Sequence, residues 1–187
     1  MAAISEFAYY TSNGENDCFK LSLCNLLLQM DDRETAGRVN RTYYRHRYTE
    51  KDKGVNTHIT TLLVRELTKG KYDATLHIFI PPTNATQFHD FMAQQSDRDC
   101  AENGMYYEIR KEIKSDRIIE HPYLNDRWRL PSPSIITVPI EKGAYHAMVY
   151  SNPVPGKHMF IIDNGHPRII DKRRLLVWAC LNVKRMK

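Results

Sequence analysis

The sequence predicts an α+β fold in a single domain spanning residues 1–187. Its first third contains a leucine-rich apolar segment without proline or glycine, whereas apolar segments rich in β-branched residues follow one another after Ser134. Turn-forming stretches separate those later segments, and Asn164-Gly165 is the strongest turn signal among them. Helical segments followed by consecutive strands are the order typical of an α+β domain.

The first half is expected to be mainly helical. A helix is predicted over 18–30 and another over 55–67, the latter closed by Lys69-Gly70. Alternating apolar residues predict a strand over 72–80, which Pro81-Pro82 ends. Thr83 is the expected cap of a helix over 85–95, and residues 105–113 fit either a helix or a strand.

The second half is expected to form an antiparallel sheet. Strands are predicted over 135–140, 144–150 and 158–163. After them, Asp171 is the expected cap of a final helix that holds Leu175, Leu176, Trp178 and Leu181.

Composition narrows the classes of protein that the chain can belong to. Its apolar share of 42% and charged share of 26% are ordinary for a folded soluble protein. No apolar run approaches the roughly 20 residues of a membrane span, and the first residues lack the features of a secretory signal. The four cysteines form no C-x-x-C pair, so neither a zinc site nor a disulfide framework is predicted. We therefore expect an intracellular, reducing setting, with no cofactor, metal or membrane partner.

Cys18 stands at the start of the leucine-rich helix. Asn16 or Asp17 is a good N-cap, which would place Cys18 in the first helical turn. The positive end of a helix stabilises a thiolate and lowers the pKa of a cysteine. A small buried apolar residue is the alternative interpretation of Cys18.

His146 and Asp163 are the polar residues that complete a chemical set with Cys18. His146 lies in one predicted strand, and Asp163 ends the next strand, 17 residues later. In an antiparallel hairpin these positions fall near each other. An imidazole can then hold the thiol as a thiolate, while the acid fixes the tautomer and orientation of the ring. Strand alternation further predicts that His146 and Met148 face the Cys18 helix, whereas Tyr145 and Ala147 point to the opposite face.

Three motifs resemble those of the papain-like cysteine peptidase superfamily. They are Asp17-Cys18, His146-Ala147-Met148-Val149 and Phe160-Ile161-Ile162-Asp163. The resemblance is greatest to the compact double-glycine peptidases, where a cysteine opens a helix and a strand histidine and a strand-ending acid follow. The nucleophile turn is also similar to that of ovarian-tumour-type deubiquitinases, and the helix after Cys18 to that of Josephin domains. This resemblance implies a helical part, with the catalytic cysteine at a helix start, packed on a C-terminal antiparallel sheet.

The chain departs from the papain-like pattern at the oxyanion hole. That pattern places a Gln a few residues before the cysteine, and no Gln precedes Cys18. Asn13, five residues upstream, carries the same amide donor and is the expected substitute, with Asn16 and Ser12 as weaker candidates. Cys24 is a rival nucleophile inside the apolar helix, while His158 and His166 are the other histidines near the site.

The leading interpretation is a thiol hydrolase that cleaves a peptide or isopeptide bond with Cys18, His146, Asp163 and Asn13. Its substrate would be a protein or peptide, with a ubiquitin-like protein as one possibility. The expected location is the cytoplasm, including that of a host cell, because small cysteine hydrolases are common among viral and bacterial proteins that act on host targets. The same triad also serves glutamine deamidation and transglutamination. A further alternative is a non-enzymatic nucleic-acid-binding module, because residues 38–48 interleave four arginines with three tyrosines.

Overall fold

The computed structural model describes residues 8–11, 16–79, 104–121, 130–140, 145–151, 158–171 and 176–187. In these ranges helices and strands form a mixed α+β fold around one large sheet. The predicted helix over 85–95 lies outside the described residues. No helix in the described ranges is long and apolar enough to cross a membrane.

The helices pack mainly on one side of the sheet. They are α1 (Cys18–Gln29), α2 (Arg33–Thr42), α3 (Thr60–Leu67) and α4 (Met105–Lys114), with short 3-10 turns at Tyr43–Arg45 and Thr57–Ile59. The helix predicted after Cys18 is confirmed, and the segment that fitted either a helix or a strand is the helix α4. The segment predicted as one helix over 55–67 contains a 3-10 turn followed by α3.

Seven strands of the described residues form the sheet. They are β1 (Tyr72–Phe79), β2 (Ile118–His121), β3 (Ser134–Pro139), β4 (Tyr145–Ser151), β5 (His158–Asp163), β6 (His166–Asp171) and β7 (Ala179–Arg185). Their order in the sheet is β2-β1-β7-β3-β4-β5-β6. The strands from β3 onward are antiparallel to their neighbours, as predicted. The sheet also takes in β1 and β2, which precede β3 in the chain and pair in parallel.

The final helix predicted after Asp171 is wrong, because that part of the chain contributes β7. This strand lies between β1 and β3 in the middle of the sheet. Ala179 and Leu181 pack in the core on the helical side, while Cys180 packs in the cluster on the other side. A strand buried on both faces shows a continuous apolar run, which sequence periodicity does not distinguish from a helix.

The prediction of which β4 side chains face α1 is also wrong. Ala147 and Val149 join the core that contains the α1 leucines, whereas Met148 and Tyr150 belong to the cluster on the opposite face of the sheet. The side chains alternate along β4 as expected, but the helical side takes the set that contains Ala147. Contact between His146 and Cys18 therefore requires a different route from the one that alternation suggested.

Candidate active site

The start of α1 presents the thiol of Cys18. Asn16 adopts a left-handed backbone conformation with φ of 68°, which asparagine tolerates better than most residues. Asp17 is the N-cap, and its carbonyl oxygen accepts the first helical hydrogen bond from the Leu21 N–H at 2.9 Å. Cys18 is the first residue of the helix, so its own N–H has no partner within the helix. The thiol and a backbone donor thus lie together at the positive end of α1.

His146 and Asp163 meet between β4 and β5. Nε2 of His146 lies 2.6 Å from Oδ1 of Asp163, and both side chains are largely buried. Because Nε2 is engaged by the carboxylate, Nδ1 is the ring nitrogen that remains for the thiol. The pairing of β4 with β5 among the described residues covers Val149–Ser151 and Phe160–Ile162, so His146 and Asp163 lie just beyond the paired stretch.

Cys18 reaches two consecutive residues of β4, His146 and Ala147. The thiol is hydrogen-bonded to the His146 imidazole and also accepts the backbone N–H of Ala147. Cys18, His146 and Asp163 therefore lie together, although the predicted face of β4 was wrong.

The electrostatics of the site favour separated charges on Cys18 and His146. Burial by itself would raise the pKa of the Cys18 thiol, but the hydrogen bonds from His146 and the Ala147 N–H outweigh it, and the pKa lies below its ordinary 9.0. Hydrogen bonding to Cys18, opposed by burial and reinforced by Asp163, raises the pKa of His146 to about 9. At neutral pH the arrangement therefore stabilises a thiolate beside an imidazolium.

Arg168 is a member of the cluster that sequence reasoning missed. Its Nη2 donates to Oδ2 of Asp163, so the carboxylate is held between the imidazole and a guanidinium. Arg168 lies on β6, where Ile161 is its partner on β5. The signal that would have revealed it is the Asn164-Gly165 turn, which places a second strand directly after Asp163.

A cleft opens beside Cys18 between the helical layer and the sheet. The cavity has a volume of about 80 Å³, and apart from the Cys18 thiolate the described residues that line it carry no charged side chain. Apolar and hydroxyl side chains form most of its wall: Val55, Thr57, Thr60, Leu76, Ile135, Thr137, Tyr145, Ala147 and Leu181. This lining suits an uncharged side chain of a bound peptide.

The predicted oxyanion donor Asn13 lies outside the described residues, so its role stays a prediction. Asn16, the weaker candidate, lines the cleft together with Cys18. Its Nδ2 donates to the backbone oxygen of Asp52 at 2.9 Å, which joins the turn before Cys18 to the loop that contains Gly54. Through this contact Asn16 has a structural role, because it holds two segments together at the rim of the cleft.

The rival groups differ sharply from Cys18. Cys24 is fully buried in the core, and burial raises its pKa to about 12. Cys180 is equally buried, and its pKa is raised to about 11, an effect that the Ser134 hydroxyl opposes. His166 is exposed and pairs with Asp163 across the β5–β6 turn. The side chain of His158 lies outside the described residues, as does Cys100.

We expect Cys18 to be alkylated far faster than Cys24 or Cys180 at neutral pH. A pKa of about 12 leaves about one thiol in 10⁵ ionised at pH 7, and Cys24 is also shielded from reagent. Iodoacetamide labelling followed by peptide mass spectrometry would measure the rate at each site. A Cys100→Ser background simplifies the kinetics, and Cys18→Ala should remove the fast phase. Uniformly slow labelling of all thiols would contradict an activated Cys18.

The arginine- and tyrosine-rich stretch 38–48 is built largely into the fold. Tyr43 is 3% exposed and packs its ring 6.4 Å from that of Phe19. Arg38 donates to the Thr68 carbonyl at 3.1 Å, and Arg47 contacts the carboxylate of Glu66. These contacts give the stretch a structural role, so the nucleic-acid alternative rests on the exposed part of its side chains alone.

In the described ranges, no group of three or more His, Cys, Asp or Glu side chains is placed to hold a metal ion. The chemical groups that converge at the described site are those of Cys18, His146, Asp163 and Arg168. Such a set can generate a sulfur nucleophile, transfer a proton and bind a neutral side chain in the adjoining cleft.

The chain resembles solved structures rather than known sequences. The chain matches no protein-family model and no curated protein sequence. It is similar to the crystal structure of a double glycine motif protease from an AMS/PCAT transporter in complex with the leader peptide. The two chains are 14% identical, the match covers 95% of this chain and 91% of that one, and the TM-score is 0.49.

Proposed function

We propose that this protein is a papain-like cysteine peptidase that cleaves a peptide or isopeptide bond. The observation that carries the proposal is the hydrogen-bonded series Cys18–His146–Asp163, in which the thiol pKa is lowered and the imidazole pKa is raised to about 9. A buried structural cysteine shows the opposite behaviour, as Cys24 does on the same helix.

The geometry suggests how each group takes part in the reaction. The Cys18 thiolate attacks the carbonyl carbon of the scissile bond, and the backbone N–H at the start of α1 stabilises the resulting oxyanion. The His146 imidazolium gives its proton to the leaving amine, which leaves a thioester on Cys18. Water then attacks the thioester with His146 as the base, releasing the carboxylic acid and the thiol. Asp163 holds the ring in the orientation that both proton transfers need.

The cleft beside Cys18 supports a peptide substrate with a small uncharged side chain near the scissile bond. Its wall is mostly apolar and hydroxyl side chains, and burying an unpaired charge there would be costly. An intracellular, reducing setting belongs to the same proposal, because a catalytic thiol must remain reduced. In this proposal water, rather than an amine, attacks the thioester.

Activity-based probes provide the first test of the proposal. Short peptide and ubiquitin-like vinyl electrophiles should label the wild-type protein, and Cys18→Ala should not be labelled. Mass spectrometry of peptide substrates then separates hydrolysis from glutamine deamidation and from amine incorporation. Deamidation or amine incorporation without cleavage would replace the peptidase proposal with one of those alternatives. Absence of all three reactions and of labelling would reject a thiol enzyme.

We also expect the cleft to set side-chain preference. A peptide library should show at least about tenfold preference for small apolar over charged residues at one position. Thr137 lines the cleft from β3, so Thr137→Leu should reduce the cleavage of substrates with the larger apolar side chains. Thr137→Val is the matched control, because it keeps the shape of the side chain and replaces only the hydroxyl by a methyl group. An unchanged preference in Thr137→Leu would show that substrates bind elsewhere.

A further inference from the structure

The helix that carries Cys18 also presents a polar stripe. Cys18, Ser22, Asn25 and Gln29 follow helical spacing and therefore share one side of α1. Asn25 is only 1% exposed, and a buried amide destabilises a fold unless its donors and acceptors are paired. The partners of this amide consequently indicate why the residue is there.

Asn25 binds the backbone of Tyr10 in the manner of a neighbouring strand. Its Oδ1 accepts the Tyr10 N–H at 2.8 Å, and its Nδ2 donates to the Tyr10 carbonyl oxygen at 3.0 Å. One turn later, Gln29 donates from Nε2 to the hydroxyl of Tyr9 at 2.9 Å. The segment 9–10 therefore lies along the polar stripe of α1, and Asn25 fixes its main chain.

The other side of this segment contacts the turn after Asp163. Gly165 is buried with φ of +85°, and a Cβ at this position would overlap the Tyr10 carbonyl oxygen and lie 2.6 Å from Cγ2 of Thr11. Only glycine allows the two backbones to approach so closely. The carbonyl oxygen of Tyr10 is thus held by Asn25 and packed on Gly165.

These contacts join the middle of α1 to the carboxylate of the site. Gly165 follows Asp163 by two residues, and Asp163 pairs with His166 across the same turn. A shift of the turn would move the Asp163 carboxylate away from Nε2 of His146, which it now approaches to 2.6 Å. A hydrogen bond of this kind weakens steeply when it is lengthened or bent.

We propose that Asn25 is a positioning residue for the Cys18–His146–Asp163 site, acting through Tyr10 and Gly165. This inference rests on the proposed function for its catalytic meaning. Asn25 touches no reacting atom; it keeps Tyr10 against the turn, and the turn keeps Asp163 on His146. Loss of Asn25 should therefore weaken the support that Asp163 gives to the imidazolium, and with it the thiolate.

The test is the pH dependence of Cys18 alkylation, measured without substrate in a Cys100→Ser background. Asp163→Ala provides the reference, because it removes the partner of His146 and should move the acid limb of the profile to higher pH. Asn25→Leu keeps the branched shape but removes both hydrogen bonds, and it should move the acid limb in the same direction by at least about half as much. If Asn25 is only structural, Asn25→Leu would lower thermal stability and leave the acid limb of the profile unmoved.

Matched variants separate the proposed effect from general damage to α1. Gln29→Met removes the hydrogen bond to the Tyr9 side chain and should leave the profile unchanged. Gly165→Ala acts from the opposite side of Tyr10 and should reproduce the shift. Asn25→Ser, which keeps one donor and one acceptor, should shift the profile less than Asn25→Leu, and it serves with Gly165→Ala if Asn25→Leu does not fold.

The outcomes distinguish this inference from the proposed function. If Asp163→Ala moves the limb while the folded Asn25 and Gly165 variants do not, the positioning role is wrong and the triad stands. If the variants shift the limb but the wild type cleaves no peptide, the positioning role stands and the peptidase proposal fails. If Asp163→Ala itself has no effect on the profile, Asp163 does not support the imidazolium and the positioning role is overturned, while the peptidase proposal is decided separately by whether the wild type cleaves peptides.

Discussion

Cys18→Ala is expected to abolish peptide cleavage, and His146→Ala is expected to lower it by at least about 10⁴-fold. The first change removes the nucleophile, and the second removes both the proton donor and the partner that lowers the pKa of the thiol. Because the two groups form one unit, the double variant should be scarcely worse than either single variant. Steady-state cleavage of a peptide substrate, with active-site titration by a vinyl electrophile, would measure these losses.

Cys24→Ala is the matched control for this experiment. It removes a sulfur from the same helix, but from a fully buried position whose pKa is raised to about 12. We expect it to lower the melting temperature through a small cavity while cleavage by the folded enzyme persists. Losses that multiplied in the Cys18→Ala, His146→Ala double variant, or cleavage lost in folded Cys24→Ala, would contradict the assignment of Cys18 as the nucleophile in a shared mechanism.

The parts of the fold that follow local rules could be predicted from the sequence. The apolar run after Cys18 predicts α1, and Tyr72, Ala74, Leu76 and Ile78 alternate to give one buried face of β1. The spacing of His146 and Asp163 predicts their approach, because an antiparallel pair of strands brings such positions together. These features depend on residues close in sequence or on a single hairpin.

The features that could not be predicted depend on the sheet as a whole. The β7 segment is a central strand because it pairs with β1 on one side and with β3 on the other, and these two strands are far apart in sequence. The face of β4 that receives α1 is likewise decided by how the helices cover the sheet. Local propensity predicts neither the pairing of β7 nor the face of β4 that contacts α1, because tertiary packing decides both.

The polar stripe of α1 could have been found from the sequence but was not. Its residues recur at positions 18, 22, 25 and 29, which is helical spacing inside an otherwise apolar helix. The leucine pattern of α1 does not account for Asn25, which lies among apolar residues. The structure supplies that partner in the backbone of Tyr10, which no side-chain pattern could have identified.

The pH dependence of turnover is expected to show a plateau between the lowered pKa of Cys18 and the raised pKa of His146, and Asp163 should widen it on both sides. Activity should rise as pH passes the lowered pKa of Cys18, where the thiolate forms. It should fall above about pH 9, where His146 loses the proton that the leaving amine needs. The two limbs report apparent pKa values of the coupled pair rather than of either residue alone.

Asp163→Ala should narrow this plateau from both ends. Loss of the carboxylate lowers the pKa of His146, so the alkaline limb moves to lower pH. A less stable imidazolium also supports the thiolate less, so the acid limb moves to higher pH. Asp163→Asn retains an oxygen that accepts the ring N–H and should narrow the plateau less. Values of kcat/KM from about pH 4 to about pH 11 would measure both limbs. If Asp163→Ala lowered the whole profile without moving either limb, the carboxylate would orient His146 without setting its charge.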